Sequence, residues 1–167
     1  LNSLIELIRF FSSDQTVGFL IMGRGSEMEL IQKKVYAEGW GNVLFHKEVS
    51  ANEIRFITRQ CDVGLIFLDG RHKSHNIPGK LLTYLESDLQ VLAKVNVGND
   101  LLELIPDNNL GQAWAENSNF SFIEAATKVM QNINNPDIAK KKQFLICTIF
   151  SAEVAANQII NALQSSR

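Results

Sequence analysis

The sequence is short of most things that would place it in a special class. Only 3 prolines and 10 glycines are spread over 167 residues, which excludes collagen-like, linker-like and low-complexity chains. The 2 cysteines, Cys61 and Cys147, lie far apart, so they build neither a disulfide framework nor a zinc site. They read as two buried free thiols, which implies a reducing compartment. No uninterrupted apolar run approaches the roughly 18 residues of a membrane span. An excess of one charge is missing too: 16 Lys and Arg against 18 Asp and Glu leave a net charge of −2, without the clustered basic surplus that nucleic acid requires. No signal peptide is visible, and because the first residue is Leu1 an upstream segment is expected.

What is present describes a packed chain. Hydrophobic residues make up 46% and charged residues 20%, and a chain of this size buries about two-thirds of its unfolded surface without a metal or disulfide staple. A single domain over 1–167 is expected, since domains most often span roughly 100–150 residues.

Periodicity divides the chain into alternating elements. Leu4, Ile5, Ile8 and Phe11 mark an opening amphipathic helix, and 16–22 is a continuous β-rich run ended by Gly23-Arg24-Gly25. Met28, Ile31 and Val35 lie on a second helix that closes at Gly39. Residues 43–45 form a short strand. Ser50 and Glu53 have capping-box spacing for a helix to about Gln60. Residues 63–68 are a uniformly apolar third strand, as befits one covered on both faces. Pro78 opens a helix to about Ser87, 90–95 is a fourth strand and 110–114 a weak fifth. The tail, 121–164, holds two or three helices interrupted near 134–136 and around Ser151. This alternation predicts an α/β fold, a parallel sheet with helices on both faces.

Open α/β sheets bind ligands at the carboxyl ends of their strands, where four polar segments fall: 23–27, 47–52, 69–80 and 96–100. Gly23-Arg24-Gly25-Ser26-Glu27 reads either as a tight strand-to-helix turn or as a place where backbone approaches an anion at a helix N-terminus. Met28 occupies the third glycine position of a dinucleotide fingerprint, which argues against NAD. Residues 69–80 are rich in donors and lead into a helix start. There the amides of Gly79, Lys80 and Leu81, with the Lys80 charge, suit a phosphate or diphosphate. A solvated loop and a metal pair at His72 and His75 are the alternatives, the latter without a firm third ligand. No P-loop, nucleophile elbow or activated cysteine occurs. Lys140-Lys141-Lys142 reads as a solvated helix face or as a contact for an anionic membrane. Trp40 and Trp114 read as packing residues.

Taken in order, these segments resemble the C-terminal, donor-binding half of retaining GT-B glycosyltransferases, in the family that elongates bacterial capsule and O-antigen polysaccharides. A Gly-x-Gly is matched by Gly23 and Gly25, an "NV-F-G-V" segment by 42–49, and "ADVGLIPL" by 61–68. "HNIPGK–L–YL" is reproduced at 75–85 and "PVLA-VN-GNDL" is similar to 90–101. The His-Asn-Ile-Pro-Gly-Lys and Gly-Asn-Asp-Leu strings look most like the branch that includes N-acetyl-L-fucosamine transferases.

The resemblance implies a Rossmann-like domain that binds a sugar nucleotide, usually a UDP-sugar, with no obligatory metal or other cofactor. It implies donor contacts from Gly23, Arg24 and Gly25, from Lys47 and Val49 near the base, and from Asn76, Pro78, Gly79 and Leu81 around the diphosphate. His75 and Lys80 take the catalytic places. The family's Glu-x7-Glu pattern falls on His75 and Thr83, neither of them Glu; a hydroxyl at Thr83 cannot accept two ribose hydrogen bonds as a carboxylate does, and Glu86 lies one turn away. Asp88 and Gln90 stand where relatives usually carry Gly and Pro. The strand that opens this half in relatives, and the acceptor-binding N-terminal half, are not in the chain, so the fragment alone is expected to be inactive. The implied activity of the full protein is retaining hexosyl transfer to a lipid-linked saccharide, in the cytoplasm or peripherally on the inner face of the membrane. A noncatalytic nucleotide-sugar-binding subunit and a GT-B sugar-nucleotide epimerase are the alternatives.

Overall fold

Eight helices and five strands alternate along the described residues, 2–71, 77–133 and 137–165, of a computed structural model. Every strand pairing is parallel, and the strands form two open sheets, β1–β2 and β3–β4–β5. The α/β class and its parallel pairing are therefore as the alternation predicts, with two ladders in place of one. By compactness the chain divides into two units, residues 1–54 and 55–167.

The first unit holds α1 (Asn2–Phe10), β1 (Phe19–Met22), α2 (Ser26–Glu38), β2 (Val43–His46) and the start of α3 (Ala51–Thr58). β1 is shorter than the apolar run 16–22. Asp14 Oδ1 accepts bonds from the Thr16 N–H and hydroxyl, at 2.9 and 2.7 Å, and this Asx-type turn takes Thr16 away from the strand. Phe19, Ile21, Val43 and Phe45 pack on the buried Ile8, Ile31 and Val35 of the helices. Alternation sends Leu20 and its register partner Leu44 to the opposite, exposed face. Gly39 ends α2 in the left-handed conformation, φ 69°, its N–H bonded to the Tyr36 carbonyl. Ser50 and Glu53 make the expected reciprocal cap of α3.

The second unit holds β3 (Val63–Phe67), α4 (Lys80–Glu86), β4 (Gln90–Lys94), α5 (Leu101–Asp107), β5 (Gly111–Trp114), α6 (Phe122–Gln131), α7 (Asp137–Thr148) and α8 (Ala152–Ser165). Its core gathers Ile66 of β3, Leu81 and Leu85 of α4, Val91 and Ala93 of β4, and Leu101 and Ile105 of α5. On α6, Ser121 and Glu124 form a complete capping box over a helix that buries Phe122, Ala125, Ala126 and Val129. The Tyr84 ring lies on β3 so closely that a Cβ at Gly64 would sit 2.3 Å from it.

Several expectations are corrected here. Periodicity places no element over 101–107, yet α5 forms there with Pro106 inside it; Pro106 lies in its last turn, where the helix is already ending. Cys147 is exposed and Cys61 half-buried, both free. Leu145 turns inward on α7, and two residues further on Cys147 points to solvent. Lys142 is no solvated residue: only 1% exposed, it donates to the Asp88 carbonyl. That carbonyl belongs to a turn in which Asp88 adopts φ 60°, a conformation Asp tolerates where a glycine is usual. The stretch Lys142–Gln164 is 23 residues long with mean hydropathy 1.3 in its best window, enough by length and composition to cross a membrane. Counting uninterrupted apolar runs passes it over. Residues 149–151 break it between α7 and α8, and Ile159, Ile160 and Leu163 of α8 are exposed.

Candidate functional site

In the first unit the parallel pairing of β1 with β2 brings two of the four polar segments together. The Gly23 N–H donates to the His46 carbonyl at 3.2 Å, one step beyond the ladder. Gly23 and Gly25 have φ of 142° and 135°, with no atom within 4 Å of where a Cβ would stand. The glycines are thus demanded by backbone conformation, and their solvent side is open to a ligand. Arg24 between them pairs with Glu48 at 2.9 Å, both side chains exposed. Lys47 is exposed and Val49 half-buried; the Lys47 carbonyl bonds to His46 Nδ1 at 2.8 Å. The first turn of α2 already carries Glu27 and Glu29. These carboxylates occupy the positive end of the helix, so this terminus offers close backbone approach and little attraction for an anion.

In the second unit, the loop after β3 begins with a clamp. Asp69 accepts the Arg71 N–H at 3.0 Å and its Nε at 2.9 and 3.1 Å, with Nη2 closing the fork. This pairing raises the already high Arg71 pKa. His72, His75 and Asn76 lie outside the described residues, so the metal pair, the catalytic place of His75 and the donor contact of Asn76 are not located.

From Ile77 the chain enters α4. Pro78 is half-buried and Gly79 is exposed in ordinary right-handed geometry, φ −56° and ψ −26°, so this position makes no conformational demand for glycine. The Leu81 N–H is bonded to the Pro78 carbonyl at 2.9 Å and its side chain is 0% exposed. Lys80 stands exposed at the first helical position, and partial desolvation of its ammonium lowers its pKa below the usual lysine value. No carboxylate lies within 4.0 Å of Nζ of Lys80 or Lys47 among the described residues. Thr83 is half-buried one turn further on, and Glu86 pairs with Arg55 at 3.5 Å.

The two asparagines of the loop after β4 are buried and hydrogen-bonded to each other. Asn96 and Asn99 are 4% and 2% exposed. Asn99 Nδ2 donates to Asn96 Oδ1 at 3.3 Å, while Asn99 Oδ1 accepts the Leu101 N–H at 3.0 Å and so caps α5. Asn99, two residues before Leu101, was a readable cap signal. The loop after β5 brings in Glu116, whose Oε1 would lie 3.7 Å from a Cβ on Gly70. Trp114 packs on Phe122 and donates Nε1–H to the Phe120 carbonyl at 2.7 Å, with the Lys94 ammonium 4.9 Å from its ring centre.

The sequence-predicted residues therefore fall into two sets, each at the carboxyl ends of parallel strands. Gly23, Arg24, Gly25, Lys47 and Val49 belong to the first unit, and Pro78, Gly79, Lys80, Leu81 and Thr83 to the second. No group of three or more His, Cys, Asp or Glu side chains is placed to hold a metal among the described residues. The first set offers close backbone approach with its Arg24 charge already paired, and the second an exposed lysine at a helix start. No known protein-family model matches the sequence, and no curated protein matches it either.

Proposed function

We propose that this chain is the sugar-nucleotide-binding half of a hexosyltransferase that uses a UDP-sugar and transfers with retention to a lipid-linked saccharide of a bacterial surface polysaccharide. The order of motifs from Gly23 to Leu101 supports the family assignment. The observation that carries the chemistry is Lys80: an exposed ammonium at the first position of α4, on the carboxyl-end side of β3, with no carboxylate within 4.0 Å among the described residues. Arg24 and Arg71, by contrast, are each tied to a carboxylate.

Magnitudes favour cations over helix amides. A helix terminus contributes about 0.3–2 kcal/mol, whereas enzymes lower barriers by roughly 8 kcal/mol or more. α4 has only 7 residues and its Leu81 amide is engaged. Stabilising a departing diphosphate therefore falls on Lys80 and on further basic groups, with positioning completing the rate enhancement. The diphosphate itself takes the acceptor proton, so no protein nucleophile is required.

Thr83 supports a second reading, a noncatalytic nucleotide-sugar-binding subunit, because it stands where the resembled family carries a carboxylate. Calorimetric titration of the full-length protein with UDP tests the binding step: Lys80→Ala is expected to weaken binding about tenfold, the loss of one charged hydrogen bond. An unchanged dissociation constant rejects the role of Lys80. Incubation of the full-length protein with a UDP-sugar and a lipid-linked acceptor then separates transferase from binding subunit, and product formed without acceptor identifies an epimerase.

A further inference from the structure

The last two helices carry an apolar surface that the second unit leaves exposed. On α8, Ala152, Ala155, Ala156, Ile159, Ala162 and Leu163 recur at helical spacing and form one stripe. All six are exposed, Ile159 by 62% and Leu163 by 66%. Asn157, Asn161 and Gln164 fall on the opposite side, as does Val154, the one half-buried residue among those from 152 to 164. The stripe therefore faces away from the rest of the unit. Phe144 on α7 and Ile149 after it are two further exposed apolar side chains.

What covers such a stripe follows from size, burial and charge. A helix of 14 residues exposed along its length is marginal in water, so it gains from a cover. A second copy is a poor one. The helix spans about 21 Å and offers a face of roughly 200 Å², against about 800 Å² per partner in a stable interface. The best apolar window of 142–164 is only 6% buried, unlike that of a core helix. A membrane crossing is opposed by the fold. Lys142 is held by the Asp88 carbonyl, Leu145 belongs to the core, and residues 149–151 interrupt the helices.

Charge selects the surface of a bilayer. Between Lys142 and Arg167 the sequence has one charged residue, Glu153, and both ends are basic, with Lys140 and Lys141 before the stretch and Arg167 after it. From Asp137 onward there are 4 basic and 2 acidic residues, net +2, whereas residues 1–136 hold 12 and 16, net −4. Apolar side chains flanked by lysine and arginine suit an interface where acyl chains lie beneath anionic headgroups. We infer that the apolar stripe of α8 seats this chain on the surface of an anionic lipid bilayer, lying in the interface without crossing it. The inference stands apart from the proposed function, since it uses none of the residues assigned to the sugar nucleotide.

Flotation of the full-length protein with vesicles of equal parts phosphatidylglycerol and phosphatidylcholine, and with phosphatidylcholine vesicles, tests it. Binding to the anionic vesicles is expected, about tenfold or more above that to the neutral ones. Ile159→Gln combined with Leu163→Gln changes two exposed positions and should weaken binding about tenfold or more. Lys140→Gln combined with Lys141→Gln should weaken it about tenfold. Leu44→Gln, at a leucine of similar exposure in the first unit, should leave it unchanged. No binding to anionic vesicles, equal binding to both kinds, or an effect of Leu44→Gln as large as that of the α8 pair overturns the inference. Self-association in sedimentation velocity that the α8 pair abolishes, without vesicle binding, overturns it too and assigns the stripe to a second copy. UDP titration of the α8 pair is expected to match wild type, so failure here is distinguished from failure of the proposed function.

Discussion

The two parallel sheets share one construction rule and end in different states of protection. In the second unit β4 has a strand on each side, and its residues from Gln90 to Ala93 are all buried. In the first unit β1 and β2 have only each other, and the register pair Leu20 and Leu44 is 36% and 64% exposed. Both ladders have the same hydrogen-bond pattern, so the ladder does not make the difference. Protection of a parallel sheet comes from what covers its faces and edges, and the second unit has three strands and buried helices on which to draw.

That contrast has measurable consequences. The largest is expected in native-state hydrogen exchange, where amides of Val91 to Lys94 should outlast those of Leu20 to Met22 by about two orders of magnitude or more, as core strands outlast weakly packed ones. Equal protection would erase the comparison. Next, Leu92→Ala, at a position 2% exposed, should cost about 2–5 kcal/mol in urea unfolding, whereas Leu20→Ala should change stability by no more than about 1 kcal/mol. Gly64→Ala should cost about 1–3 kcal/mol, because the Tyr84 ring has to move for the new methyl.

A subtler effect concerns Lys142, whose pKa burial lowers to about 8, the Asp88 charge opposing it. Its folded pKa lies below its unfolded value, so between about pH 8 and 10.5 the unfolded chain binds more protons and stability rises with pH. Tyr84, pushed up to about 12 by burial, and Cys61, also raised, act in the opposite direction at alkaline pH. The difference between wild type and Lys142→Met isolates the lysine. Wild type should gain on the variant from pH 7 to 10 by at most a few kcal/mol; a flat difference would show that the buried ammonium is not penalised. The smallest effect is a matched pair of caps. Ser50→Ala and Ser121→Ala should each lower the melting temperature by roughly 2–4 °C, the second more than the first because α6 buries four side chains.

Much of the fold was legible because its signals are local. The Gly39 stop, the Ser50 start and the apolar runs of β3 and β4 are settled within a few residues of themselves. α5 escaped because its seven residues end in a proline-containing turn, and a helix that short shows too little period to be told from a loop. The burial of Lys142 escaped for another reason. Three consecutive lysines look solvated, and only the packing of α7 against the turn at Asp88 turns one of them inward. At the candidate site the glycine positions and Lys80 could be read, while the occupation of the Leu81 amide by the Pro78 carbonyl, and of Arg24 and Arg71 by carboxylates, could not. Those are pairings chosen by geometry among many the sequence allows.

The sequence by itself determined the order of elements, the α/β class and the polar segments that follow each strand, since periodicity, caps and turn residues act over one or two helical turns. Tertiary structure alone decided that the strands separate into two ladders, that one lysine is buried while Lys80 stays exposed, and that the Gln90 amide nitrogen is buried with no partner among the described residues. These outcomes depend on which side chains meet across long sequence separations. Short-range propensity carries no information about that.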